Sequence, residues 1–87
     1  MEYAITFTSS ADRSLRRLDE ELQRRIVTKV NALAIDPRPP GALKMAGGLP
    51  LWRIRIGSYR MINEIHDDQL VVLVLRVSHR KDAYRGM

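Results

Sequence analysis

The sequence predicts an α+β fold of two layers, in which a helical hairpin packs on a mainly antiparallel sheet in the order β-α-α-β-β-β. Three observations predict it: an alternating apolar segment near the N-terminus, apolar residues at helical spacing over residues 15–34, and three apolar runs after residue 50. Two helices need a sheet to cover their apolar faces. The 87 residues are enough for one such domain, spanning residues 1–87.

The first part of the chain predicts one strand and two helices. Residues 3–7 alternate between large apolar and smaller side chains, as on a strand with one apolar face. Ser9 or Ser10 can cap the helix that follows. Asp19 begins an acidic triplet, which is typical of a second helix N-terminus, and this second helix should end before Pro37.

The second part of the chain predicts a long loop and then an antiparallel meander. The loop spans residues 36–50 and contains all four prolines, with a more regular piece at 42–45. We expect strands over residues 51–56, 59–65 and 70–77. The last of these begins with six apolar residues without alternation, which predicts a strand covered on both faces.

The run WRIRIGSYR, residues 52–60, places charge where a sheet does not need it. Alternation puts Arg53 and Arg55 on one face of their strand, and a two-residue turn at Gly57 would bring Arg55 opposite Arg60. Like charges directly opposite destabilise a strand pair by roughly 0.2–1 kcal/mol. We therefore favour phosphate binding over a solvated polar face for this group.

Charge is unevenly distributed along the chain. The formal net charge is +5, and since residues 1–36 are balanced, the whole excess lies in residues 37–87. A basic part on a neutral scaffold is typical of nucleic-acid binding. The alternating acids and bases from Arg13 to Lys29 are most simply the solvent side of the helices.

A second basic group lies near the C-terminus. Tyr84 offers an aromatic face on which an unstacked RNA base could lie, and the alternative interpretation is a frayed basic terminus. The group consists of Arg76, His79, Arg80, Lys81, Tyr84 and Arg85.

The sequence gives little indication of a metal site, a bound cofactor or a membrane-spanning helix. There is no cysteine, and His66 and His79 lie far apart without patterned carboxylates, so we expect no metal site. Gly47 and Gly48 lack the lysine that follows in a phosphate-binding loop, and we expect no cofactor. A membrane helix needs about 20 apolar residues, far more than the six at the start of the last strand, so we expect no membrane partner. No leader is recognisable, so we expect a cytoplasmic protein.

The segments LKMAGGLPLWRIRIGSYRMINEI and VVLVLRVSHRKDAYR together resemble the RelE branch of the RelE/ParE toxin superfamily, and the resemblance extends over essentially all 87 residues. It implies the RelE-like fold and a ribosome-dependent endoribonuclease of a bacterial type II toxin–antitoxin system. Such an enzyme cleaves messenger RNA in the decoding site. The 2′-hydroxyl attacks the neighbouring phosphate, and no metal takes part.

The resemblance also implies roles for individual residues. Arg53 and Arg55 match the family's basic strand positions, Arg60 its phosphate-binding arginine, Arg80 its leaving-group arginine and Tyr84 its base-stacking tyrosine. Lys44, Arg76, Lys81 and Arg85 are candidates for RNA binding, although Lys44 could instead merely close the loop.

This chain departs from the family pattern in two places. Some relatives carry lysine where Arg53 and Arg55 stand, and arginine effectively cannot lose its proton. The general base is therefore unassigned: either His79 transfers the proton, or catalysis rests on charge stabilisation and alignment. Asn63 stands where relatives often carry an aromatic residue, which concerns core packing.

The implied partners are a RelB-like antitoxin with an acidic segment, the ribosome and messenger RNA, and operator DNA bound through the antitoxin. Two alternatives stay open. One is a ParE-like toxin that inhibits DNA gyrase and cuts no nucleic acid. The other is a degenerate module whose basic face only binds nucleic acid.

Overall fold

The helices and strands of the computed structural model, which describes residues 2–79, follow the predicted order. The elements are β1 (Ala4–Phe7), α1 (Ser9–Arg16), α2 (Glu20–Leu33), β2 (Leu43–Lys44), β3 (Leu51–Ile56), β4 (Tyr59–His66) and β5 (Val71–His79). The strands form a five-stranded sheet in the order β1-β5-β4-β3-β2. Only β1 and β5 are parallel neighbours. The α+β prediction is confirmed, and β2 is a short strand added within the predicted loop.

Thr8 caps α1, and the prediction of Ser9 or Ser10 is wrong. The Thr8 hydroxyl accepts a hydrogen bond from the backbone N–H of Ala11 at 3.1 Å and donates one to the carbonyl oxygen of Leu75 at 2.9 Å. The second bond ties the start of the helix to β5, and neither serine makes it. A cap that also binds the sheet therefore takes precedence over local sequence preference.

Asp19 caps α2, as predicted. Its carboxylate accepts a hydrogen bond from the backbone N–H of Leu22 at 2.9 Å. The helix ends at Leu33, ahead of Pro37, which also agrees with the prediction. In the part of the chain that the structure describes, no helix is both long and apolar enough to cross a bilayer.

The two helices cover one face of the sheet, which we call the helix face; the other is the open face. The core cluster consists of Ala11, Ile26, Val30, Leu33, Ile54, Ile56, Met61, Val74 and Val77. Asn63 is buried as completely as these apolar residues, and within residues 2–79 its side-chain amide has no hydrogen-bond partner. An unpaired buried polar group of this kind costs about 1–3 kcal/mol.

A bulge in β5 determines which side chains reach the open face. Arg76 pairs with Ile62 and Val74 pairs with Asn63, so Leu75 has no partner in β4. In regular pairing, Arg76 would move one position along β4 and turn towards the core. The extra residue therefore keeps Arg76 on the open face.

The covering of β5 differs from the prediction. Val72 and Val74 are fully buried, whereas Val71 and Leu73 are half-buried. The prediction that this strand is covered on both faces is wrong, because the helices cover only one face of the sheet.

The long loop is held by Arg38. Its guanidinium donates two hydrogen bonds to the carboxylate of Asp67, at 3.0 and 2.7 Å, and lies 4.8 Å from the centre of the Trp52 ring. The Tyr3 hydroxyl donates to the same carboxylate at 2.6 Å. These hydrogen bonds, that from Arg38 first, hold the pKa of Asp67 below its ordinary range. The loop is thereby fastened to the residue before β1, to β3 and to the β4–β5 turn.

Candidate nucleic-acid interface

Three arginines come together on the open face at the β3–β4 hairpin. Arg55 lies directly opposite Arg60, as predicted, and Arg53 lies opposite Ile62. Because residues opposite one another in an antiparallel pair share a face, the three arginine side chains leave the sheet on the same side. They line a cavity of about 360 Å³, here called the arginine cavity, with the residues Gly41 and Leu43.

The hairpin depends on Gly57. Its φ is +58°, in the left-handed region that glycine adopts at little cost. This conformation at the first position of a two-residue turn gives the tight reversal that the sequence predicted. Without it, Arg55 and Arg60 would not be adjacent across the strand pair.

Two of the three arginines in the cavity have no carboxylate partner among the described residues. Within residues 2–79, neither Arg53 nor Arg55 lies within 4.0 Å of a carboxylate. Glu64, farther along β4, is 3.0 Å from the ring of His66. No group of three His, Asp or Glu side chains in the same residues could hold a metal ion. An entering anion would therefore meet the charges of Arg53 and Arg55, which no carboxylate within residues 2–79 pairs with.

The third strand of the open face extends this surface. Ser78 lies opposite Arg60, and Arg76 lies opposite Ile62. Ile62 in turn pairs with Arg53, so Arg53 and Arg76 stand on either side of one apolar residue. The predicted RNA-binding residue Arg76 thus shares a face with the arginine cavity.

Two predicted site residues lie on the other side of the sheet. Lys44 pairs with Trp52, whose side chain belongs to the helix face. His79 pairs with Tyr59, and their rings meet edge-on with centroids 5.2 Å apart. Neither Lys44 nor His79 is brought to Arg55, and their proposed roles stay predictions.

Four further predicted site residues lie outside the described residues: Arg80, Lys81, Tyr84 and Arg85. Their roles in leaving-group stabilisation, base stacking and RNA binding also stay predictions.

Sequence reasoning missed part of the cavity wall. Gly41 and Leu43 line the cavity, and Leu43 pairs with Arg53 across β2 and β3. The signal was the regular piece at residues 42–45, which becomes β2. Its register against β3 cannot be derived from so short a segment, and it is this register that places Leu43 beside Arg53.

Several solved structures with the same architecture contain RelE toxins. The RelBE2 toxin–antitoxin complex from Mycobacterium tuberculosis matches with a TM-score of 0.80 and 27% identity, over 92% of this chain and 100% of that chain. An archaeal RelE–RelB complex from Pyrococcus horikoshii matches with a TM-score of 0.80 and 26% identity, over 92% and 97% of the two chains. Two helices on this five-stranded mixed sheet define the RelE toxin fold.

Sequence comparison gives the same answer. A family model described as the ParE toxin of the type II toxin–antitoxin system parDE matches residues 5–84. Toxin RelG from Mycobacterium tuberculosis is 35% identical over an alignment of 92 positions, covering 98% of this chain and 99% of the relative. The chain belongs to the ParE toxin family of type II toxin–antitoxin systems, within the RelE/ParE superfamily. The predicted superfamily is confirmed.

Proposed function

We propose that this toxin is a ribosome-dependent endoribonuclease that cleaves messenger RNA in the decoding site. One observation carries the proposal: the register of β3 and β4 brings Arg53, Arg55 and Arg60 to a single cavity. Three guanidinium groups from two strands can donate hydrogen bonds to the anionic oxygens of a phosphodiester in a strained conformation. A fold alone needs no such arrangement, since opposed like charges destabilise a strand pair.

The reaction proposed for this site is an internal transfer. The messenger's 2′-hydroxyl loses its proton and attacks the adjacent phosphorus, while the bond from phosphorus to the 5′-oxygen breaks. The products are a 2′,3′-cyclic phosphate and a 5′-hydroxyl, which forms when the leaving 5′-oxygen takes up a proton. Because the nucleophile belongs to the substrate, the protein's tasks are alignment and stabilisation of charge.

Arg55 and Arg60 suit the second task. Negative charge grows on the non-bridging oxygens as the phosphorus becomes five-coordinate, and a guanidinium can donate two parallel hydrogen bonds to such oxygens. Arginine does not act as the base, because it keeps its proton at any pH at which the protein works. The proposal therefore assigns these residues to the transition state's charge and assigns no base to the cavity.

The remaining parts of the proposal concern residues outside the cavity. Arg80 would stabilise the leaving oxygen and Tyr84 would stack on a base, while Lys44, Arg76, Lys81 and Arg85 would contact RNA and His79 remains the candidate for proton transfer. The toxin would act in the cytoplasm, where a RelB-like antitoxin covers its basic face with an acidic segment. Operator DNA would be bound through that antitoxin.

The family description, ParE toxin, favours a second candidate: inhibition of DNA gyrase without cleavage of nucleic acid. The two candidates make different demands on the open face. A gyrase inhibitor that cuts no nucleic acid has no use for three arginines gathered at one cavity, whereas the proposed cleavage needs cations around its transition state.

Cleavage of a programmed ribosome complex, read by primer extension, tests the proposal. We expect Arg60→Gln to lower the cleavage rate by about 10²–10³, the usual effect of removing one transition-state charge partner. Arg13→Gln is the matched control, because it removes the same charge from an exposed position on α1. Equal cutting by wild type and Arg60→Gln, or inhibition of gyrase supercoiling in place of cutting, would refute the proposal.

A further inference from the structure

A second and larger cavity lies at the edge of the sheet, between α2 and the β3–β4 turn. Its volume is about 600 Å³. Helix α2 contributes one acidic residue, Glu21, together with Arg24, Arg25, Thr28 and Lys29, and the hairpin contributes Arg55 and Gly57. We call this cavity the edge groove. The proposed reaction makes no use of it.

On the helix side of the edge groove three cationic residues outnumber the single acidic residue, Glu21. Arg25 and Lys29 are four residues apart, so their side chains lie on one face of α2. Arg24 is 3.3 Å from the carboxylate of Glu20, whereas neither Arg25 nor Lys29 reaches a carboxylate within residues 2–79. Arg25 is exposed, which agrees with the sequence prediction that the charged residues of this helix lie on its solvent side. The structure adds that Arg25 and Lys29 line a cavity.

Arg55 joins the edge groove to the arginine cavity, because it lines both. The connection is open because β2 is short: it pairs only with Trp52 and Arg53. The edge of β3 beyond Arg53 is therefore left without a strand neighbour on that side in the described chain. A bound chain can pass around this edge from one cavity to the other without crossing a barrier of backbone.

We propose that the edge groove is a second RNA subsite, which binds backbone phosphates flanking the one held in the arginine cavity. This inference rests on the proposed function, since it assigns the continuation of the same RNA strand. Arg25 and Lys29 supply charges along the helix, and Arg55 lies at the junction of the two cavities. The contacts are to phosphate, so this subsite adds affinity and alignment without reading sequence.

An acidic peptide is the other polyanion that this charge could attract. The shared residue favours RNA: an RNA strand whose phosphate lies between Arg55 and Arg60 must leave the arginine cavity, and Arg55 also lines the neighbouring groove. A strand that follows this path meets Arg25 and Lys29 next.

Fluorescence anisotropy with oligonucleotides of two lengths tests the inference. The probes are labelled single-stranded 2′-O-methyl oligonucleotides of about 12 and about 3 nucleotides, a range that spans typical single-strand site sizes. They lack the attacking hydroxyl, so binding is measured without cleavage. Arg25→Gln combined with Lys29→Gln should weaken binding of the long probe by roughly tenfold at low salt and leave the short probe unaffected.

The salt dependence gives a second readout. Plotted as log affinity against log salt concentration, the slope for the long probe should become shallower by about 1.4 in the double variant, or about 0.7 for each lost phosphate contact. The single control Arg13→Gln, which lies outside both cavities, should leave this slope and the affinity unchanged. Unfolding by urea checks that all variants are folded.

Two results would overturn the subsite. One is that the double variant binds the long probe with the same affinity as wild type, and the other is that it loses affinity equally for both probes. Loss of binding to a polyglutamate peptide with unchanged RNA binding would assign the groove to a protein partner. The ribosome assay keeps the two proposals separate. If the wild type cleaves RNA but the double variant shows no length-dependent loss of binding, only the subsite is refuted. If that loss depends on probe length but no cleavage occurs, only the nuclease proposal is refuted.

Discussion

Arg55 and Arg60 lie directly opposite each other across the β3–β4 pair, and both side chains leave the sheet on its open face. Two positive charges on directly opposed residues repel each other. The arrangement makes sense if an anion spends time between them, because a bound phosphate converts the repulsion into two attractions. Stability and binding therefore make opposite demands on these two positions.

Arg55→Gln should stabilise the fold while impairing the proposed activity. Relief of the cross-strand repulsion should raise the free energy of unfolding by roughly 0.2–1 kcal/mol. Cleavage on the ribosome should fall by about 10²–10³. Urea unfolding and primer extension measure the two effects. Arg53→Gln is the matched control, since Arg53 faces Ile62 and its loss should bring no such gain in stability.

Asn63→Leu should stabilise the protein. Leucine has the same branching as asparagine, and it removes a buried donor and a buried acceptor that lack partners within residues 2–79. The expected gain is about 1–3 kcal/mol in the free energy of unfolding. Thermal and urea denaturation measure it, and Asn63→Asp, which buries a carboxyl group, should be much less stable. A less stable leucine variant would show that an internal water satisfies the amide.

Thr8→Val should destabilise α1. Valine keeps the shape of threonine and loses both hydrogen bonds of the hydroxyl, to the N–H of Ala11 and the carbonyl of Leu75. The expected cost is about 1–2 kcal/mol in the free energy of unfolding. Ser9→Ala is the matched comparison, because Ser9 lies inside the helix and should change stability little. Equal losses in the two variants would place the cap elsewhere.

Asp67→Asn should remove an acid-sensitive part of the stability. The pKa of Asp67 lies below its ordinary value of 3.8, chiefly because of the hydrogen bonds from Arg38 and then that from Tyr3. A lowered carboxyl pKa stabilises the folded state fully above pH 3.8, and the contribution is lost as the pH falls through the folded-state pKa. Wild type should therefore exceed the variant in stability at neutral pH and converge with it in acid.

The hydrogen bond between Tyr3 and Asp67 should also make the stability of the protein fall in alkali, whereas the contribution of Asp67 is lost in acid. This hydrogen bond raises the pKa of Tyr3 above 10.0, so that contribution is present below pH 10.0 and is lost as the pH rises through the folded-state pKa. Tyr3→Phe removes this alkaline response. Asp68→Asn controls for charge, since Asp68 is exposed and has no ion pair within residues 2–79. Parallel pH curves for all variants would contradict both predictions.

The hairpin and α2 could be predicted because their signals are local. Period-two alternation and a glycine at position 57 are enough to place Arg55 opposite Arg60. Asp19 likewise marks the start of α2 through a hydrogen bond within its own turn. In each case the residues that determine the geometry are neighbours in sequence, so the pattern contains the answer.

The features that escaped prediction depend on distant contacts. Thr8 takes the cap because its hydroxyl also reaches Leu75, 67 residues away. The apolar start of β5 carries no polar residue to mark its phase, so neither the bulge nor the half-covered face could be derived. The orientation of His79 is an exception, because it could have been predicted. His79 lies two residues after buried Val77, and in a strand this spacing places both side chains on the helix face.

The unpaired Leu75 links two positions on opposite sides of the sheet. Its carbonyl oxygen accepts the hydrogen bond from Thr8. As the extra residue of the bulge in β5, it also keeps Arg76 on the open face opposite Ile62. A change at Thr8 that frees this carbonyl would make it easier for β5 to slide into regular pairing, turning Arg76 inward against Met61. Among relatives that share the bulge, the helix-capping hydroxyl and the basic residue should therefore be inherited together, and drift at one should be accompanied by drift at the other.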